Sequence, residues 1–499
     1  MFNGGILIQT VREIANPSNL HLKCSNNMTD QDPYIRRSSG ILAPPETFAA
    51  SLRHLGPGFV LSASIVGSGE LIATTLMGAK AGFTLLWFII FSCLVKVAVQ
   101  LEFGKHAISS GETTMEALNS LPGPKLGAAN WSIWLWLVLM LTKTLQLGGI
   151  IGAVVLGVEQ LFPGLAPNLS DGMFSKRCLT TLVIAISVSM LVFKGYYSIL
   201  EKASLVMIAI FLVFTLASLG MLQTTASAIT GPEFTSGLIP NWPDQTTLLI
   251  AIGAFGITGV GGDEILAYNY WLIEKGYASY TGPRENTEAW EQRAKGWIRV
   301  MYWDAILAMV CYTLMTSMFY LLGAAILHRV GTLPTSENLI EILGTMYTQT
   351  LGPGAKVVFV VGAVVVLYST MFAALAAWTR LYADALGQIG LINFHNQNSR
   401  KKAIGFIACL FPLTWAALYL FFEAPGQMVI IGGVITGVIL LLVVFAALFF
   451  RYRRLDSRLT PSKFYDVALW ASACAILTVA LMTLRDAVPW HAIFTYPAP

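Results

Sequence analysis

Charge is what this sequence has least of. Of its 499 residues, 31 are basic and 27 acidic, so 12% are charged while 55% are hydrophobic; ordinary soluble domains carry about 25% charged residues. A soluble chain of this length would divide into several domains, each with its own polar surface. So few charges cannot clothe such surfaces, and lipid must cover much of the protein. The formal net charge is only +4 and there is no basic tract, which removes the electrostatic footprint of a nucleic-acid-binding protein. Cysteine is sparse and unpatterned. Cys24, Cys93, Cys178, Cys311, Cys409 and Cys474 form no Cys-x-x-Cys pair and no cluster with histidine, so neither a disulfide framework nor a zinc site is indicated. Cys93, Cys311, Cys409 and Cys474 fall in apolar runs, where cysteine is usually a small structural residue. HExxH, GxSxG and Walker motifs are all missing, which leaves no sign of an enzyme. The histidines, His21, His54, His106, His328, His395 and His491, lie near the ends of apolar runs or outside them, so no imidazole relay is expected at mid-membrane.

What is present is apolar length. Eleven runs are long enough to cross a hydrocarbon layer of roughly 30 Å, which takes about 20 helical residues. They lie near 54–79, 83–108, 130–160, 178–195, 202–224, 245–273, 298–328, 354–388, 403–421, 426–450 and 464–485. Residues 1–50 are polar, carry Pro17, Pro33, Pro44, Pro45 and the pair Arg36 and Arg37, and lack the apolar core and cleavage site of a signal peptide. They are expected to form a flexible cytoplasmic tail. Basic residues favour the cytoplasmic side of a membrane. With the N-terminus inside, cytoplasmic segments collect 23 of the 31 basic residues, including Arg451, Arg453, Arg454, Arg458 and Lys463, and outer segments hold six: Lys80, Lys176, Arg177, Arg329, Lys356 and Arg485. Lys96 and Lys143 fall within spans. The 225–244 connection, with no basic residue, reads as an outer loop, and an odd number of spans puts the C-terminus outside.

Two spans cannot be continuous helices. The first carries Ile65-Val66-Gly67-Ser68-Gly69-Glu70 and the sixth carries Thr258-Gly259-Val260-Gly261-Gly262-Asp263-Glu264. Glycine costs up to about 1 kcal/mol per position in a helix and frees the backbone to leave helical geometry, so both segments should unwind near the middle of the membrane. The breaks are five spans apart, so spans one to five and six to ten form halves of opposite orientation. Paired broken helices in inverted repeats signal a secondary transporter with its site between the breaks, where unwound carbonyls coordinate a cation and half-helix ends contribute their dipoles. Asp263, Ser68 or Glu70 could cap the second half-helices. A carboxylate at mid-membrane costs at least about 2.5 kcal/mol on insertion scales, however, and serine or asparagine would cap without that cost. Glu70 and Asp263 are therefore candidates for a substrate or coupling-ion role, with Glu264 beside them.

At the ends of these spans stand Leu55-Gly56-Pro57-Gly58-Phe59, Gly82-Phe83-Thr84-Leu85-Leu86-Trp87, Gln100, Gly111, Gly195, Leu200-Glu201, Ser369-Thr370-Met371 and Gln427. Over about 55–450 this pattern resembles the Nramp family of divalent-metal transporters. The resemblance implies an all-α polytopic membrane protein with the LeuT-type fold: ten core spans in two inverted repeats of five, one further C-terminal span, and broken first and sixth helices. The corresponding division is a tail at 1–50, a transporter core at 51–453 with repeats at about 51–224 and 245–453, and an eleventh span with the C-terminal end at 454–499.

The departures from the family bear on function. Nramp proteins carry Asp-Pro-Gly-Asn at the first break, where this chain has Gly67-Ser68-Gly69-Glu70, and Met-Pro-His at the second, where Gly259 to Asp263 contain neither Met nor His. Loss of the thioether removes a reason to prefer soft metals, because carboxylate and carbonyl oxygens suit Mg, Ca or Mn. The family's two acids of the third span align with Gln146 and Gly149, neither of which carries a proton as a carboxylate does. Lys143, one turn earlier, is a new intramembrane base, readable as a buried partner for some acid or as a side chain reaching a water-filled path, with Lys96 and Glu102 nearby in sequence. The expected metal site is Gly67, Glu70, Gly259, Asp263 and Glu264, with Gln427 a weaker candidate implied by the family's tenth span. No cofactor is expected, the metal ion being substrate, and no obligate protein partner is evident beside the lipid bilayer. The expected function is transport of a hard, oxygen-ligated divalent cation, with little proton movement. Cation-coupled transport of a small organic solute such as an amino acid remains open on the same fold. Between Glu274 and Arg299, acids lead and bases follow, which suits a short surface helix, with Trp271, Trp297 and Trp303 as interfacial anchors.

Overall fold

Lipid offers no hydrogen-bond partner, so apolar runs of this length must close their backbone hydrogen bonds internally as helices. The computed structural model describes residues 32–35, 40–163, 176–194, 197–331, 333, 338–352 and 354–487. Cys24, His21, His491 and Gly195 lie outside the described residues. Span one is Pro57–Ile65 and Thr75–Ala81 with a π-helical stretch, Ser68–Thr74, between them. Spans two to five are Leu86–Ser110, Trp131–Leu161, Lys176–Lys194 and Tyr197–Leu222. Span six is Gln245–Ile257 and Gly262–Lys275. Spans seven to eleven are Glu288–Leu322, Ala355–Ile389, Gln397–Phe422, Pro425–Phe449 and Lys463–Ala487. Among the described residues, nine helices are long and apolar enough to cross a membrane. The other two of the eleven expected spans are the first, which its break divides into short pieces, and the fifth, whose side chains are described only in part.

Local chemistry sets the ends. Asn130 caps span three by accepting from Ser132 N–H at 3.2 Å, Asp244 caps span six through Thr247 N–H at 2.8 Å, and Thr287 caps span seven through Trp290 N–H at 3.2 Å, each satisfying a donor that has no partner within the helix. A capping box at Thr230 and Glu233 starts a short helix, Gly231–Leu238, in the connection before span six. Glycines then let spans touch backbone to backbone, as small residues do in membrane bundles. A Cβ on Gly256 of span six would strike the Gly433 carbonyl of span ten, so the two helices cross without side chains between them.

Three expectations are corrected here. Part of the supposed flexible tail is docked on the basic-rich end of the bundle. Asp32 pairs with Arg400 at 2.8 Å, Tyr34 donates its hydroxyl to Glu274 at 2.6 Å, and Trp297 and Arg299 donate to the carbonyls of Leu42 and Pro45, each at 3.0 Å. The acid-then-base segment is no separate surface helix. From Glu288 it is the start of span seven, because Thr287 caps a helix whose apolar periodicity then continues into the bundle. Of the three tryptophans, only Trp303 is exposed, at 39%; Trp297 is fully buried against His54, Tyr277 and Tyr280, and Trp271 is buried beneath the Arg380 guanidinium. Their indoles found partners within the protein, so the headgroup layer did not claim them.

Orientation gives a first expected result. A cysteine introduced at the exposed Ser236, in a background without other reactive thiols, should be labelled by an impermeant maleimide from outside intact cells. Labelling only after permeabilisation would reverse the assigned topology.

Candidate functional site

Span one is anchored at its start by span seven and packed at its break against spans six and eight. Gly56 and Gly58, at the start of span one, donate their N–H groups to the buried Asp304 carboxylate of span seven at 2.9 and 2.5 Å, and Tyr268 of span six donates to it at 3.1 Å. The helix stops at Ile65. Gly67 then passes so close to Thr370 of span eight that a Cβ would collide with the threonine side chain, and a Cβ on Gly69 would meet the Ile257 carbonyl of span six at 2.6 Å. Both breaks thus share a backbone contact.

Glu70, wholly buried, ties them further. Its Oε1 accepts from the Gly259 N–H at 3.1 Å and from the Thr316 hydroxyl of span seven at 3.1 Å. Its Oε2 has no hydrogen-bond partner among the described residues. A buried carboxylate oxygen without a donor is costly. The N–H that Glu70 receives is turned toward it because Gly259 sits at φ +62°, a left-handed conformation that glycine enters without steric cost.

Beyond Gly259 the second half of span six begins at Gly262, and Asp263 and Glu264 fall in its first turn. Neither caps it: the N-cap is Gly261, with no side-chain bond. Asp263 instead reaches across to span three, where Lys143 donates to its Oδ1, and to span eight, where Trp378 Nε1 donates to its Oδ2 at 3.2 Å. The Glu264 carboxyl lies against Asp263 and folds back over Gly261. Lys143 and Asp263 are 1% and 6% exposed, so this is an ion pair within the bundle. Asp263 and Glu264 line a small cavity together with Ser64, Ile65, Gly69, Gln146 and Thr370. The lining comes from both breaks and from spans three and eight.

The other intramembrane lysine serves the opposite end of the same break. Lys96 of span two, 0% exposed, donates to the Phe255 and Thr258 carbonyls, the latter at 2.5 Å. Glu102 pairs with Lys105 rather than with Lys143.

The six residues expected to form one site are therefore brought to four places. Glu70 and Gly259 meet between spans one, six and seven. Asp263 and Glu264 face spans three and eight. Gln427 is exposed in the first turn of span ten, more than a turn away from Gly432 and Thr436, the span-ten residues that pack against Gln146 and Gly261. Gln427 is not brought to the breaks. Gly67 packs on Thr370. Among the described residues, no three His, Cys, Asp or Glu side chains converge closely enough to hold a metal ion. Sequence reasoning missed Trp378, Thr316 and the position of Cys93. A tryptophan in the middle of an apolar run, away from either interface, needs an acceptor for its N–H, and that signal was readable. Cys93, classed as structural, is buried beside Gly259, with its Sγ 3.3 Å from where a Cβ would stand there, and lies in the electrostatic field of Glu70 and Lys96. A sulfur is near the breaks after all.

Comparison with known proteins places this arrangement. The model of the natural resistance-associated macrophage protein-like family, Nramp, matches residues 58–486. The chain belongs to the Nramp family. Among curated relatives, the divalent metal cation transporter MntH of Yersinia pestis (strain Pestoides F) is 25% identical over 205 residues, 41% of this chain and 46% of the relative. MntH of Pectobacterium carotovorum subsp. carotovorum is 25% identical over 209 residues, 41% and 45% of the two chains. The aligned segment thus spans about half the length of the curated relatives it matches. Among solved structures, a variant of the Eremococcus coleocola manganese transporter superposes with a TM-score of 0.60 at 14% identity, covering 91% of this chain and 99% of that one. MhsT in complex with L-phenylalanine gives 0.57 at 14% identity, covering 90% and 100%. At such identities the likeness is one of fold. This Nramp chain is an integral, multi-pass, all-α membrane protein of the LeuT type, with two inverted repeats of five spans, one further span, and broken first and sixth helices.

Proposed function

We propose that the chain is a secondary transporter that moves a hard divalent cation, Mn or Mg, across the membrane by alternating access. One observation carries this reading: Asp263, in a cavity between the breaks, already holds a cation, the Lys143 ammonium. Asp263 and Glu264 supply negative charge, and Ser64, Gly69 and Thr370, which carry hydroxyl or carbonyl oxygens, line the same cavity. A divalent ion has twice the charge of the ammonium and takes six or more oxygen ligands, so it can displace Lys143 while keeping part of its water. Glu70 holds the two breaks in register and is the carboxylate that can follow the ion as span one moves. The protein acts without enzymatic chemistry, cofactor or obligate protein partner, in the plasma membrane, with the ion as its substrate. The names of the MntH relatives and of the manganese transporter support a metal over the organic-solute reading.

Coupling and selectivity follow from the residues present. With Gln146 and Gly149 in span three, no carboxylate there relays protons, and the ion's own gradient with the membrane potential is the driving force. Oxygen ligands favour Mn over Cd, and Cys93 is the one thiol near the breaks among the described residues. In proteoliposomes, Mn influx should proceed without stoichiometric acidification of the lumen, Mg should compete with it, and any inhibition by Cd should weaken in Cys93→Ser. Stoichiometric acidification would overturn uncoupled transport. Cd inhibition stronger than that by Mg and unchanged in Cys93→Ser would overturn the assigned selectivity.

A further inference from the structure

The first half of span six ends at Ile257 in the middle of the bundle, and the last carbonyls of a helix have no partner within it. Phe255 in the last turn and Thr258, the residue just past it, are 1% and 0% exposed, and their carbonyls stand at the negative end of the helix dipole. Both accept from the Lys96 ammonium. The Ser92 hydroxyl, one turn before Lys96 on span two, lies 3.3 Å from the Phe255 carbonyl and 2.8 Å from the Thr258 hydroxyl. The ammonium also stands 4.8 Å from the centre of the Phe255 ring, a cation–π distance, and is in electrostatic range of Glu70 and Glu264. Satisfying two carbonyls needs only neutral donors, and a charged side chain at this depth costs at least about 2.5 kcal/mol on insertion scales. The surroundings therefore select for positive charge as well as for hydrogen bonds. Carbonyls at the end of a broken half-helix are, in transporters of this architecture generally, ligands for a small monovalent cation.

We propose that Lys96 is a tethered cation: its ammonium fills a carbonyl-lined monovalent-cation site at the C-terminal end of the first half of span six, and shortening the side chain converts that place into a site for a free cation. The chain thereby carries its own counter-ion for the broken helix, and wild-type stability is independent of which monovalent salt is present. Lys96→Ala leaves the two carbonyls, the Ser92 and Thr258 hydroxyls and the aromatic face, with room for an ion or a small alkylammonium.

Thermal unfolding of the full chain in detergent tests this without any transport assay. Wild type, Lys96→Ala and Lys96→Met would be compared in chlorides of sodium, potassium, methylammonium and ethylammonium against N-methylglucamine at equal ionic strength. The wild-type midpoint should be the same in all. Lys96→Ala should unfold several degrees lower in N-methylglucamine and recover saturably with at least one small cation, as binding at a single site in the folded state requires. Lys96→Met, uncharged and only one atom shorter than lysine, should be destabilised without recovery, since its side chain still occupies most of the space. If Lys96→Ala yields no folded protein in N-methylglucamine, extraction in ethylammonium chloride should recover monodisperse protein. The proposal is overturned if no cation restores Lys96→Ala, if Lys96→Met is as stable as wild type, or if wild type shows the same salt dependence. Loss of divalent transport in every protein, with this stability pattern intact, would overturn the transport reading and leave the tethered cation standing.

Discussion

Lys143→Met should weaken the fold and tighten cation binding together. Removing one member of a buried ion pair leaves an uncompensated charge, which costs about 3–5 kcal/mol, and Asp263 would keep the Trp378 N–H and the neighbouring Glu264 carboxyl but no cation. The same change removes the ammonium that competes for the carboxylate, so the apparent affinity for Mn at pH 8 should rise about tenfold or more, equivalent to at least about 1.4 kcal/mol. Thermal midpoints and Mn titrations on one preparation would read both effects. Lys143→Met with Asp263→Asn should regain most of the lost stability and lose uptake. A Lys143→Met protein with wild-type affinity would show that the ammonium is not displaced by the transported ion.

Glu70→Ala should reduce Mn uptake more than about a hundredfold, beyond what second-shell substitutions usually cost, with expression close to wild type. The change removes a buried carboxylate whose Oε2 has no hydrogen-bond partner among the described residues, so the fold loses an expensive group as well as two hydrogen bonds. Glu70→Gln separates charge from geometry. Its amide oxygen can still accept from Gly259 and Thr316, so stability should match wild type while uptake remains lost. Uptake retained in Glu70→Gln would mean that Glu70 only holds the breaks together.

The spans and both breaks were legible because the signals are one-dimensional: apolar length marks a crossing, and glycine beside a carboxylate in an apolar run marks an interruption. Glu70, Asp263 and Glu264 could be singled out for the same reason, since each is expensive where it stands. Their partners could not. Lys143 and Asp263 are 120 positions apart and Lys96 meets Thr258 across 162, so which base serves which group depends on how spans two and three pack on span six. Neither pairing follows from the sequence, which left Lys143 as a buried partner for an unnamed acid. Gln427 was misplaced by the opposite error. A position carried over from a family pattern is sensitive to a helix's axial register, and here span ten presents Gly432 and Thr436 to the breaks, about a turn or more further on. The capping role offered for Asp263 was locally sensible, and it lost to a long-range cation. The docked segment around Asp32 and Tyr34 carries no apolar run, and its attachment rests on Arg400 and Glu274, which only the folded bundle brings within reach.

The most direct test is side-by-side uptake into proteoliposomes holding wild type, Glu70→Gln or Asp263→Asn, with Mn and a panel of amino acids offered under an inward gradient and an inside-negative potential. Wild type should accumulate Mn and no amino acid, and both variants should fall to the level of empty vesicles while retaining wild-type elution profiles. Amino-acid accumulation without Mn uptake by wild type, or full Mn uptake by both variants, would contradict a divalent-cation site between the two breaks.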